Sequence, residues 1–130
     1  MILVDSSVWI DFFGGTESPR VQRLERCIRD REDLALCGIV LTECLQGIRH
    51  DRQFARVLQH FRPLILLPMP EQVFISAAKL YRDLRAQGIT IRKTNDCIIA
   101  ATAIHQGASL LHDDRDFDLL DRHSALSTIS

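Results

Sequence analysis

Lysine is almost missing from this 130-residue chain: of its 16 basic residues only Lys79 and Lys93 are lysines, and the rest are arginine. Net charge is nearly missing too. A formal balance of −1 argues against a protein whose whole surface attracts nucleic acid or anionic membrane. Met1-Ile2-Leu3-Val4 runs into Asp5 without a basic region or a cleavage-type ending, so no secretory signal is read there. The longest uncharged run, Cys97 to His112, has 16 residues and contains Gly107 and His105. It is too short and too polar to span a bilayer. Cys27, Cys37, Cys44 and Cys97 form no C-x-x-C pair and stand among apolar neighbours. That pattern argues for buried thiols in a reducing cytoplasm, against a disulfide or zinc framework. Repeats, low-complexity tracts and Pro/Gly linkers are lacking, so one domain over 1–130 is expected.

What is present is a regular alternation. Ile2–Val4 reads as a buried strand, followed by Asp5-Ser6-Ser7 as caps for a helix over about 7–13 that Gly14-Gly15 stops. Ser18-Pro19 opens a second helix. Val21, Leu24 and Ile28 form its core face, with Arg20, Arg23, Arg26 and Arg29 opposite as a solvated stripe. Leu34–Leu36, 64–67 and Ser109–Leu111 read as further strands. Helices are expected over 39–48, from Asp51 as cap to Phe61, from Pro70 to Gly88, and over 97–106 with Thr94-Asn95-Asp96 as cap. Strands alternating with helices imply parallel pairing through right-handed crossovers. The expected fold is a three-layer α/β/α sandwich around a central parallel sheet of four to five strands.

The acids need a reason. Five Asp residues fall between Asp113 and Asp121. In open α/β sheets ligands bind beyond the carboxyl ends of the strands. Asp5 ends the first strand, Asp114 follows the fourth, Asp96 lies at a helix start and Glu43 sits inside a helix. No Lys or Arg of the local sequence is matched to a cluster of these four. Like charges at close range cannot all stay ionised without a counter-charge. An all-oxygen set suits Mg²⁺ (or Mn²⁺) and not zinc, and such centres hydrolyse phosphodiesters. Singly, each acid has a plainer reading: a cap for Asp5, a helix-dipole complement for Asp96, a solvent-facing Glu43, a solvated turn and helix start from Asp113. Their joint placement on four elements points to a site.

Four stretches carry a resemblance. They are Ile2-Leu3-Val4-Asp5-Ser6-Ser7-Val8-Trp9-Ile10-Asp11, Leu41-Thr42-Glu43-Cys44-Leu45-Gln46-Gly47, Asn95-Asp96-Cys97-Ile98-Ile99-Ala100-Ala101-Thr102-Ala103 and Leu111-His112-Asp113-Asp114-Arg115-Asp116-Phe117. In this order they resemble the successive motifs of the PIN-domain nucleases, and within them the VapC-type toxins of toxin–antitoxin pairs. The resemblance spans essentially the whole chain. It implies a metal-dependent endoribonuclease whose acids are Asp5, Glu43, Asp96 and Asp114, with Asp116 as an outer or fifth participant. It also implies an RNA substrate, a small cognate antitoxin that covers the site, and a homodimer or a hetero-oligomer with that antitoxin. One departure stands out: the family often carries Thr two residues before the fourth acid, where this chain has His112. A small hydroxyl that could orient a carboxylate or water is replaced there by an imidazole.

The roles expected from this resemblance put Asp5 and Asp96 as principal metal ligands, with Glu43 and Asp114 completing the shell directly or through water. Water then attacks phosphorus in line, leaving a 3′-hydroxyl and a 5′-phosphate. Ser6 and Asn95 either orient ligands by hydrogen bonds or serve as caps. Arg92 and Lys93, just before Asp96, are placed to touch a phosphate backbone. Trp9 reads as core, not as a base-stacking residue. His50, His60, His105 and His123 have no ligand-like spacing. A phosphoacceptor receiver domain is excluded, because 64–67 leads into Pro68 without an acid and no Lys follows Lys93. A D-x-D phosphatase is excluded by Asp5-Ser6-Ser7. Two alternatives stay open: a non-catalytic PIN scaffold that binds RNA or a protein partner, and a solitary RNA-processing nuclease without an antitoxin.

Overall fold

Five short strands, all parallel, carry the fold in the computed structural model, which describes residues 1–130. They are β1 (Ile2–Val4), β2 (Leu34–Leu36), β3 (Ile65–Leu66), β4 (Ser109–Leu111) and β5 (Thr128–Ile129), in the spatial order β3-β2-β1-β4-β5. Leu3 lies opposite both Ala35 and Leu110, and Val4 opposite Leu111. Successive residues of a strand face opposite sides of the sheet, yet every residue of β1 and β2 is buried. Both faces are therefore covered, as a parallel sheet requires. The cover is α1 (Ser6–Gly14), α2 (Pro19–Arg29), α3 (Gly38–Gln46), α4 (Asp51–Phe61), α5 (Glu71–Ala86), α6 (Thr94–Gln106) and α7 (Arg115–His123).

The chain moves outward from β1 through β2 to β3, then returns to place β4 on the other side of β1. That reversal makes the β1/β4 boundary a topological switch point, where diverging connections open a crevice at the carboxyl edge. Asp5 and the 112–114 segment leave the sheet at that place. The backbone N–H of Asp5 donates to the carbonyl of Leu111 at 2.9 Å, continuing the ladder one step beyond β1.

A cluster of 31 buried apolar residues fills the space between sheet and helices. Trp9 is fully buried, stacked on Phe13 with centroids 5.6 Å apart and edge-on to Phe61 at 5.1 Å. All four cysteines are buried free thiols. Burial pushes the Cys44 thiol up to about 12 and Cys97 to about 11, so they behave as small apolar side chains. No helix is long and apolar enough to cross a membrane.

Several local expectations shift. Cys27, not Ile28, completes the core face of α2, and Ile28 is 38% exposed. His50 precedes α4, so Asp51 is its first residue and not its cap. Lys93 occupies the cap position of α6 without a side-chain hydrogen bond, which places Thr94, Asn95 and Asp96 in the first turn. Beyond Asp114 the chain forms a full helix, α7, and then β5, which pairs with β4. β5 has a single apolar residue, Ile129, and no apolar run to mark it in the sequence, whereas the two residues of β3 lie inside the apolar run 64–67.

Candidate metal centre at the sheet edge

Asp5 is 4% exposed and caps α1. Its Oδ2 accepts the backbone N–H of Ser7 at 3.1 Å and the Ser7 hydroxyl at 2.6 Å. The same hydroxyl oxygen accepts the backbone N–H of Asp113 at 3.1 Å. Ser7 therefore ties the end of β1 to the loop after β4. Sequence reasoning singled out Ser6 and missed Ser7: an Asx turn at Asp5 needs only the Ser7 backbone N–H, and nothing in the local spacing marks the hydroxyl.

Glu43 projects from α3 and is half-buried. The Ser6 hydroxyl donates to its Oε1 at 3.1 Å, linking the first turn of α1 to α3. Glu43 also borders a cleft of about 400 Å³ lined by Ile10, Phe13, Ile48, Arg49 and Gln53 among others.

Asp96 is 2% exposed, and its Oδ2 is buried without any hydrogen-bond partner. A buried acceptor left unpaired costs about 1–3 kcal/mol, so this atom calls for a ligand. Burial pushes the Asp96 carboxyl up to about 7, opposed by the Lys93 ammonium and reinforced by the negative charges of Asp114, Asp5 and Asp116. Asp114 behaves in the opposite way. Burial would raise it, but the Asp116 N–H at 2.9 Å and the cations of Lys93 and Arg92 hold it below the usual carboxylate range. Asp116, on the first turn of α7, is 2% exposed.

Asp96, Asp114 and Asp116 each offer one ligand atom, and these atoms lie within 4.8 Å of one another. A hard cation bound at ~2.0–2.6 Å holds its oxygens no more than about 4–5 Å apart, so the spacing fits one ion. Three of the five acids expected at a metal therefore share one mutually close group. Asp116, placed at the margin, is inside the mutually close group. Asp5 and Glu43 stand outside it, although Asp5 is near enough to raise Asp96 through space.

Arg92 and Lys93 lie directly against the acids and remain more than half exposed. The acids do have local counter-charges: Arg92 Nε lies 3.1 Å from Asp116 Oδ2, and Lys93 Nζ lies 3.4 Å from Asp114 Oδ2. Both side chains thus contact carboxylates in this structure. Asn95 is exposed and makes no hydrogen bond to the acids.

His112 is 2% exposed and packs on Phe117 with ring centroids 5.2 Å apart. Its Nδ1 accepts the backbone N–H of Asp114 at 3.1 Å, which requires a neutral ring with the proton on Nε2. Burial lowers its pKa and outweighs the opposing pull of Asp118, in keeping with that state. The imidazole thus shapes the turn that presents Asp114.

Comparison with known proteins adds a second kind of observation. The PIN domain family matches residues 2–123. The chain is 34% identical over 132 residues to Ribonuclease VapC11 of Mycobacterium tuberculosis (strain ATCC 25618 / H37Rv), covering 100% of this chain and 98% of that protein. It is 35% identical over 104 residues to Ribonuclease VapC1 of Methanocaldococcus jannaschii, covering 79% of this chain and 68% of that one. Among solved structures, FitAcB from Neisseria gonorrhoeae aligns with a TM-score of 0.77 and 22% identity, over 100% of this chain and 97% of that chain. DNA-bound VapBC from Salmonella typhimurium aligns with a TM-score of 0.79 and 19% identity, over 98% and 96% respectively. At those identities the structural likeness speaks to the fold.

Proposed function

The chain belongs to the PIN domain family, and on that premise we propose that it is a divalent-metal-dependent endoribonuclease and the toxin of a toxin–antitoxin pair. Full-length relatives that carry the name ribonuclease support the reaction class. One observation carries the metal dependence: the buried, unpartnered Oδ2 of Asp96, a member of a three-carboxylate group whose ligand atoms lie within 4.8 Å of one another.

Asp96, Asp114 and Asp116 would hold Mg²⁺ or Mn²⁺, with Asp5 adding negative charge at the rim. Bound there, the ion supplies Lewis acidity toward a phosphodiester and makes water a stronger acid. The protein's own groups supply placement. Ser7 fixes Asp5 against the loop of Asp113, and His112 fixes the backbone of Asp114. Glu43, steadied by Ser6, lies outside the metal-holding group and is free to accept a proton from the attacking water.

The cognate antitoxin is the proposed protein partner, assembled with this chain in a hetero-oligomer. The cleft beside Glu43 supports a site that such a partner covers. It pairs apolar Ile10, Phe13 and Ile48 with Arg49, and Ile10 is 52% exposed.

The test is cleavage of single-stranded RNA by the purified chain, with Mn²⁺ or Mg²⁺ and with a chelator. Cleavage that needs the ion and disappears in Asp96→Asn supports the reading. Cleavage that survives both chelation and Asp96→Asn, or no cleavage of any RNA with either ion, overturns it.

A further inference from the structure

Arg92 and Lys93 adjoin in the segment leading into α6, yet they hold the acids in different ways. Arg92 is anchored on a single oxygen: its backbone N–H and its Nε both donate to Asp116 Oδ2, at 3.3 and 3.1 Å. Its terminal nitrogen reaches Asp114 Oδ1 only at 3.5 Å. Because the main chain takes part, that grip does not depend on the side chain alone. Lys93 has one contact, Nζ to Asp114 Oδ2 at 3.4 Å, and its side chain is 56% exposed. A single long contact at the surface is weak and easily exchanged.

The position of that ammonium matters more than its strength. It touches Asp114, is more than half exposed, and also acts through space on Asp96, so one mobile charge serves both carboxylates. No hydrogen bond from Lys93 or any other group reaches Asp96 Oδ2. An ammonium is a compact point charge on a flexible stem, suited to neutralise a carboxylate pair without filling the coordination position between them.

We propose that Lys93 is the resident counter-ion of this centre: it occupies the electrostatic place of the metal in the metal-free chain and is displaced when a divalent cation binds, while Arg92 keeps Asp116 fixed throughout. The inference rests on reading Asp96, Asp114 and Asp116 as a divalent-metal centre. Displacement has two consequences. The metal competes with a tethered cation, so its affinity is lower than the carboxylates alone would provide. The freed ammonium stays beside the centre, where a phosphate oxygen of the substrate would arrive and give it a new partner.

The chain's scarcity of lysine makes this measurable. Lys79, exposed on α5, and Lys93 are the only lysines. Reductive ¹³C-methylation, which keeps the charge, therefore gives two side-chain NMR signals besides that of the α-amino group, and Lys93→Gln and Lys79→Arg identify them. On adding Mg²⁺ to the wild-type chain without RNA, the Lys93 signal is expected to move toward the position of a free lysine while Lys79 stays still. In calorimetric titration with Mn²⁺ alone, Lys93→Gln is expected to bind about three- to tenfold more tightly than wild type, in line with loss of one weak competing ion pair. An unmoved Lys93 signal with saturable Mg²⁺ binding overturns the proposal, and so does unchanged or weaker Mn²⁺ binding by a folded Lys93→Gln chain. Absence of saturable Mn²⁺ binding by wild type overturns the metal centre itself, a distinguishable failure.

Discussion

The Ser7 hydroxyl accepts the backbone N–H of Asp113 at 3.1 Å across 106 positions of sequence. The same hydroxyl donates to Asp5 Oδ2 at 2.6 Å. One small side chain therefore fastens the acid after β1 to the loop after β4, at the switch point of the sheet. It is a positioning residue for both sides of the candidate centre.

Ser7→Ala removes that bridge and leaves the Asp113 N–H and one Asp5 bond unmade. The expected loss is about 1–3 kcal/mol of stability, read by urea unfolding of the metal-free chain. RNA cleavage should fall by about 10–100-fold, as for other partners that orient ligands. Ser7→Thr, which keeps the hydroxyl, should recover most of both. A Ser7→Ala chain equal to wild type in both measurements would remove Ser7 from the site.

Asp96 sets a pH dependence with a defined sign. Its carboxyl is raised from 3.8 to about 7, so between those values the folded chain holds a proton that the unfolded chain has lost. Stability of the metal-free chain should therefore fall as pH rises through that window, by at most about 1.4 kcal/mol per pH unit from this group. Above about 7 this contribution levels off. Thermal melts in chelator should show the slope, and Asp96→Asn should abolish it. Saturating Mn²⁺ should flatten it as well, because the bound cation favours the ionised carboxylate.

Glu43 and Asp96 should separate metal binding from catalysis. Asp96→Asn is expected to weaken Mn²⁺ binding by more than the ~10–100-fold that outer partners cost. Glu43→Gln should leave Mn²⁺ binding little changed and lower cleavage by about 10²–10⁴-fold, the range for a proton-transfer group. Calorimetry and single-turnover cleavage measure the two effects separately. Equal loss of Mn²⁺ binding in both variants would place Glu43 among the ligands and withdraw its role as base.

His112 tests whether an acceptor at this position is what matters. Asn can present its Oδ1 near where the imidazole presents Nδ1, whereas Leu fills the space with no acceptor. His112→Leu leaves the part-buried Asp114 N–H without its partner and should cost about 1 kcal/mol, with weaker Mn²⁺ binding. His112→Asn should lie between Leu and wild type in both. If Leu binds Mn²⁺ as tightly as wild type, the hydrogen bond to Asp114 has no part in presenting that acid.

Much of this architecture was legible in the residue pattern. β1, β2 and β4 were read at their observed bounds, because three consecutive apolar residues between turn formers have few other uses. Trp9 was read as core from its apolar neighbours, and it is fully buried. β5 and the length of α7 were not legible. Thr128-Ile129 has no apolar run around it to mark a strand, unlike Ile65-Leu66 within 64–67, and the acids that open α7 look the same in a solvated turn. Ile28 shows the limit of spacing arguments: it has the right period, but α2 rolls by one position and buries Cys27 in its place.

Local chemistry along the chain determined which acids were available, that the strands would run parallel, and that oxygen donors without His or Cys suited a hard cation. Those properties belong to residue types and short-range order, so they can be read before folding. Which acids stand close enough to share an ion was decided by the tertiary structure alone. The turn of α7 brings Asp116 beside Asp96, and the segment before α6 folds Arg92 and Lys93 back onto Asp116 and Asp114. A few ångströms settle whether carboxylates repel, accept a cation or pair with a neighbour, and such distances between remote segments exist only once the sheet has brought them together.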